Sequence, residues 1–348
     1  MQGTVSVSLH THTLIHILLL GFLGFAISML ITPIYTNIAY KRQWWKKSRT
    51  MDVTGKKATI LMQLSAKKNR PPTPAMAGLV FVLSAGIVTL AFNLSRNQTW
   101  LPLAALVGGG VVGLLDDIIN LRGNGTGIAG MRSKLKLLLT TLVALIGGLF
   151  FYYKLGVTGI HIPGMDQPWH IGWLIIPLFV LVVVSTANAV NISDGMDGLA
   201  GGLASTAFGV YAVIALLERR FGVAGFCFTM VGTLLSYTWF NIYPARFFMT
   251  DIGSFSLGTA LGVVAMITDT VLLLPVIGLV FVAEAGSSVI QILSKKLRDG
   301  KKVFLIAPIH YHFEASGWER TKVTMRFWVI GQVVGIIGLV LFVLGWYV

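Results

Sequence analysis

The chain has 348 residues, 55% of them hydrophobic and only 11% charged, with a formal net charge of +14. A soluble domain carries roughly 25% charged residues, so a chain this long and this poor in charge must hide its apolar surface in lipid. The positive balance therefore poses a question of membrane topology rather than of nucleic acid, which is not expected as a partner, and the single cysteine, Cys227, excludes a disulfide framework and a cysteine-based metal site.

A membrane-spanning helix needs about 20 predominantly apolar residues. Ten runs read as spans, at residues 14–36, 73–94, 99–116, 134–153, 171–190, 198–217, 221–240, 254–267, 270–293 and 325–347. The expected fold class is all-α, one polytopic integral-membrane domain over residues 1–348. The first run has no basic residue before Lys41 and no evident cleavage site, so it reads as a span and not as a signal peptide. Between the first two spans, Lys41–Arg70 carries ten basic residues and one acid, Asp52. The eighth span is short and rich in Gly and Thr, and only the polar stretch around Asp269 divides it from the ninth.

Orientation follows from the basic residues. The loops after spans one, three, five, seven and nine, with their flanks, hold 23 of the 27 Lys and Arg; the other side holds Arg96, Lys154, Arg219 and Arg220. The positive-inside rule makes the crowded side cytoplasmic, and an even span count then puts both termini outside.

The 13 acidic residues are few, and Asp116, Asp117, Asp194, Asp197 and Asp251 all fall at cytoplasmic span ends. A charge within a span costs about 2.5–3.5 kcal/mol on insertion scales, so several carboxylates at one depth and on one side point to a shared polar cavity. Four motifs lie there. Gly113-Leu114-Leu115-Asp116-Asp117 ends the third span, and adjacent carboxylates ionise together only near a cation or in water; they suit magnesium-phosphate chemistry or proton abstraction. The stretch from Asn188 to Gly202, with Asn191, Asp194, Gly195, Met196 and Asp197, alternates oxygen donors with glycines and then opens a helix, whose N-terminus favours anions; it lacks the terminal Glu of a calcium loop. Phe247-Phe248-Met249-Thr250-Asp251-Ile252-Gly253-Ser254 offers an acid beside an aromatic pair able to stack a nucleobase. Ala307-Pro308-Ile309-His310-Tyr311-His312-Phe313-Glu314 gathers rings suited to metal, phosphate or acid–base work. A site at the cytosol–membrane boundary built from these can take one soluble and one lipid phosphate. No Walker loop is present, so ATP is not the expected donor.

At these residues the chain resembles the phospho-N-acetylmuramoyl-pentapeptide transferases, a branch of the polyprenyl-phosphate N-acetylhexosamine-1-phosphate transferases. The resemblance runs from Thr73-Pro74-Ala75-Met76-Ala77-Gly78 to the last span and is most specific in the Asn188–Gly202 stretch and in Pro308–Glu314. It implies ten transmembrane helices in a bacterial inner membrane, a cytoplasmic cleft and a homodimer. It further implies a magnesium-dependent reaction of UDP-N-acetylmuramoyl-pentapeptide with undecaprenyl phosphate, giving lipid I and UMP. Residue by residue, Asp251 matches a magnesium-binding aspartate, with Asn191 a second contributor. Asp116 and Asp117 match a catalytic pair, with Asp117 acting on the lipid phosphate. Asn188, Asp194, Gly195, Met196, Asp197, Asn241 and His312 match donor-side contacts, with Phe248 at a base-stacking position. Lys68 and either Lys134 or Lys136 match phosphate-binding lysines, and His310 matches the first histidine of its motif. The chain departs from the family at Asn120, where a lysine is expected, with Arg122 nearby, and in a longer Gly123–Gly130 stretch. Thr250 stands in place of glycine, Tyr311 in place of histidine, and Ala75 and Ala77 alter the Thr-Pro motif. Glu284, alone in the ninth span, reads as a bundle-facing structural acid; His10, His12 and His16 read as interfacial. A UDP-GlcNAc-type transferase is the alternative within the superfamily, and a lipid or solute transporter the alternative outside it.

Overall fold

The computed structural model describes residues 11–45, 72–123, 130–165 and 167–347. Lys68, Asp52 and His10, together with most of the Gly123–Gly130 stretch, lie outside the described residues. The chain is a polytopic membrane protein built of helices: α1 (Thr11–Lys41), α2 (Gly78–Phe92), α3 (Trp100–Arg122), α4 (Ser133–Tyr153), α5 (Ile175–Ser193), α6 (Leu199–Leu217), α7 (Phe221–Asn241), α8 (Thr250–Ile267), the single turn α9 (Leu274–Ile277), α10 (Leu279–Leu297), the short α11 (Ile309–Ala315) and α12 (Arg320–Tyr347). Between α4 and α5 a two-stranded antiparallel ribbon pairs β1 (Gly159–Ile160) with β2 (Trp169–His170).

Among the described residues eight helices are long and apolar enough to cross a membrane, and α2 is a shorter apolar helix. In lipid every backbone polar group must be satisfied within the protein, which is why the apolar runs become helices. Leu18, Phe22, Leu30 and Ile34 of α1, Leu138 and Ile146 of α4 and Val329 and Ile336 of α12 turn outward, exposed, as a lipid-facing surface.

The bundle is organised around α8. Every residue of this helix except Asp251 is buried, and it lies against α2, α3, α5 and α6. Small residues let the backbones approach, as in other membrane bundles. The clearest case is Gly113 of α3, where an added Cβ would overlap the Asp251 and Ile252 backbone of α8.

Three expected spans differ in ways that bear on the site. The third helix runs past the expected end at residue 116 to Arg122, so Asp117 as well as Asp116 is helical, and both are buried. The second begins at Gly78 and not at residue 73, because proline lacks an N–H and disfavours helix at its neighbour. The Pro74–Ala77 segment instead pairs with the chain before α8: Phe248 N–H donates to the Pro74 carbonyl and Ala77 N–H to the Phe248 carbonyl, both at 2.9 Å. The ninth is broken at Gly278 into α9 and α10.

Candidate active site

The last turns of α3, the start of α4, the end of α5 and the start of α8 meet at one end of the bundle. Gly113 and Asp117 are four residues apart and share a face of α3, so the contact that Gly113 allows with α8 sets Asp117 over the N-terminus of that helix. Asp117 Oδ2 accepts the Thr250 hydroxyl at 2.7 Å and the Ile252 N–H at 3.0 Å, and Oδ1 accepts the Asp251 N–H at 3.4 Å. A carboxylate at this position satisfies the orphan amides of a helix start and meets the positive end of its dipole.

Asp116, 1% exposed, faces the other way, where its Oδ1 accepts the Met131 N–H at 2.7 Å. Lys136 Nζ lies 3.1 Å from Asp116 Oδ1 and 2.6 Å from Asp251 Oδ2. Asn191 Nδ2 donates to Asp251 Oδ1 at 2.6 Å and to Ser254 Oγ at 2.8 Å. Carboxylate oxygens of Asp116, Asp117 and Asp251 all lie within 4.8 Å of one another. Three carboxylates are an all-oxygen donor set, which suits a hard divalent cation, and the lysine ammonium lies between two of them. Lys136, and not Lys134, is the lysine of the cluster; Lys134 is exposed.

The Asn188–Gly202 stretch forms the neighbouring wall. Asp197, 5% exposed, accepts the Ala245 N–H at 3.0 Å, and Met196 is buried. Asn241 is a brace: its Oδ1 accepts the Gly198 N–H at 2.8 Å and its Nδ2 donates to the Phe247 carbonyl at 2.7 Å. Asn188 Nδ2 bonds back to the Val184 carbonyl of its own helix, and Asp194 caps the end of α5. The aromatic pair divides. Phe247 is buried among Tyr35, Tyr237 and Phe240, whereas Phe248 is half-buried at the rim.

His310 on α11 is fully buried, with Nδ1 2.7 Å from Glu284 Oε2 of α10. Its Nε2 faces Gly195, where an added Cβ would overlap the ring. Neither His310 Nε2 nor Glu284 Oε1 has a hydrogen-bond partner in the structure. Tyr311 packs on His310 with ring centroids 4.1 Å apart and donates its hydroxyl to the Gly195 carbonyl at 3.0 Å. Burial pushes the Tyr311 phenol up to about 12, so it remains a donor at neutral pH. His312 Nδ1 accepts the Leu305 N–H at 3.2 Å, which keeps the loop before α11 in place. Asn120, at the position of the missing lysine, leaves Oδ1 buried without a partner, and Arg122 is exposed.

The Glu284–His310 pair was not visible from sequence spacing, since 26 residues separate the two; the only signal was an unexplained acid in an apolar span, which is by default a functional pointer.

Residues 99–269 match the model of glycosyl transferase family 4. A phospho-N-acetylmuramoyl-pentapeptide-transferase of Chloroflexus aggregans is 40% identical over 280 residues, 77% of this chain and 76% of that protein. Proteins of the same name from a Geobacillus species and from Bacillus pumilus are each 34% identical, over 91% of this chain and 95% of theirs.

Proposed function

The chain belongs to glycosyl transferase family 4 and, within it, to the phospho-N-acetylmuramoyl-pentapeptide transferases, and from that membership we propose that it moves phospho-N-acetylmuramoyl-pentapeptide from UDP to undecaprenyl phosphate, forming lipid I and UMP. The reading includes a magnesium-dependent site facing the cytoplasm across a bacterial inner membrane, and a homodimer as its assembly. The observation that carries it is the cluster of Asp116, Asp117 and Asp251, with Lys136 bridging Asp116 and Asp251, at one end of the bundle.

The reaction joins an oxygen of the lipid phosphate to the sugar-bearing phosphorus of the donor and breaks that phosphorus's bond to UMP. Asp251 and Asp116 would hold magnesium through their carboxylate oxygens, and Asn191, whose N–H now bonds Asp251, would join them with its amide turned to present the oxygen. When bound, the metal neutralises the diphosphate and stabilises the departing phosphate charge. Lys136 adds a fixed cation beside the same oxygens, electrostatic stabilisation that requires no reorganisation during the reaction. Asp117, held at Oδ2 by the Thr250 hydroxyl and the Ile252 N–H, would take a proton from the lipid phosphate. Phe248 at the rim offers a ring face to the uracil, and the Asp194–Asp197 turn lines the donor side. Most of the acceleration is then positioning and charge.

Purified protein in detergent is expected to release UMP only when UDP-N-acetylmuramoyl-pentapeptide, undecaprenyl phosphate and magnesium are all present, and Asp251→Asn is expected to abolish the release while the protein stays folded. An active Asp251→Asn enzyme, or equal turnover of UDP-GlcNAc in the same assay, would overturn the reading.

A further inference from the structure

Thr250 opens α8 with φ = 54°. A β-branched residue is an outlier in the left-handed region, and such residues persist where the surroundings over-determine them. Here the surroundings do. Thr250 Oγ1 accepts the Met76 N–H at 3.0 Å and donates to Asp117 Oδ2 at 2.7 Å. Met76 is itself left-handed, at φ = 70°. The hydroxyl has one proton and two acceptors in reach, Asp117 Oδ2 at 2.7 Å and the Met249 carbonyl at 2.8 Å. The contact to the carboxylate is the shorter of the two. Thr250 and Asp117 are both 4% exposed, and water does not compete for either group.

Glycine at this position would carry no penalty at φ = 54°. Glycine would take the hydroxyl away from Asp117 Oδ2 and leave the buried Met76 N–H without this acceptor. The threonine keeps a strained backbone and gains a link from the Pro74–Gly78 segment, through its hydroxyl, to the carboxylate. We propose that Thr250 is a positioning residue, whose hydroxyl fixes the Asp117 carboxylate for its part in the transfer. The proposal rests on the function assigned above, in which Asp117 acts on the lipid phosphate.

Thr250→Gly removes the hydroxyl and relieves the backbone, so the variant folds. Its kcat is expected to fall by about tenfold or more, the scale of one hydrogen bond to a charged group. Its KM for the nucleotide donor should stay nearly unchanged, because Asp117 acts on the lipid phosphate and not on the donor. Thr250→Ser, which keeps the hydroxyl, should restore most of kcat. Wild-type kcat in Thr250→Gly, or an equal loss in Thr250→Ser, would overturn the proposal and leave the assigned function standing. Folded wild-type protein without UMP release would overturn that function instead. A thermal double-mutant cycle of Thr250→Gly with Asp117→Ala then still reads the bond. Non-additive melting shifts support it, and additive shifts sink it.

Discussion

Lys136 ties two of the site's carboxylates together. Its ammonium stands 3.1 Å from Asp116 and 2.6 Å from Asp251, and without it two acids would face each other with only amide and backbone donors for company. Like charges at this separation disfavour joint ionisation, and a bound divalent cation would relieve the same repulsion. Lys136→Met is therefore expected to melt lower than wild type in a chelator and to gain more from added magnesium than wild type gains, while UMP release falls by about a hundredfold. Equal magnesium responses in the two proteins would mean that the lysine does not share the cation's ground. The acids of this cluster were legible in the sequence, because carboxylates at one depth of an apolar chain are costly and few. The lysine was not, since Lys134 and Lys136 are equivalent as letters and only the register of α4 turns one to the cluster and the other to solvent. Glu284 stood out as a lone acid in a span, but its service to His310 depends on where α11 settles, which spacing does not encode.

At the scale of elements, contact between α3 and α8 decides whether the residues above assemble. Gly113 lies against the Asp251 and Ile252 backbone, and one turn later Asp117 receives the amides at the start of α8. Gly113→Ala must push the helices apart, because the obstructing atoms are backbone. Overpacking of this kind costs about 1–3 kcal/mol, and the displacement falls on the carboxylates of the cluster. The expected result is a lower melting temperature together with a loss of kcat larger than the stability loss alone would bring; unchanged kcat in Gly113→Ala would show that the contact is not transmitted to the site. The helices themselves were readable from apolar run length. Their ends were not: Asp116 and Asp117 continue α3 because their carboxylates find partners in α8 and Met131, a tertiary fact that overrides the polar character of the stretch. The break at Gly278 and the late start of α2 follow from glycine and proline chemistry, and there the sequence signal was present but outweighed by hydropathy.

The two ends of the molecule differ in kind. The end opposite the carboxylate cluster holds Arg96, Lys154 and Arg220, and at that end Arg220 pairs with Glu218 at 2.8 Å. Burial pushes the Glu218 carboxyl up to about 7, against the pull of Arg220. A folded value above the unfolded one means that the protonated form favours folding: the contribution is complete below the ordinary glutamate range and is lost as pH rises through about 7. Relative to wild type, Glu218→Gln should gain melting temperature between pH 5 and pH 8, and a constant difference across that window would contradict the assignment. The positive-inside rule leads us to expect that the end carrying the cluster faces the cytoplasm, since the loops assigned to that side by sequence hold 23 of the 27 basic residues, and the proposed use of a UDP-linked donor made in the cytoplasm asks for the same placement. Both arguments converge on one placement, and Cys227, being fully buried, leaves a silent background for testing it. Asn97→Cys, exposed at the sparsely charged end, is expected to react with a membrane-impermeant thiol reagent in intact spheroplasts. Lys302→Cys, exposed in the loop before α11, is expected to react only after permeabilisation. The reverse pattern would place the cluster outside, where no nucleotide-linked donor could reach it, and would defeat the transferase reading more completely than any single inactive variant.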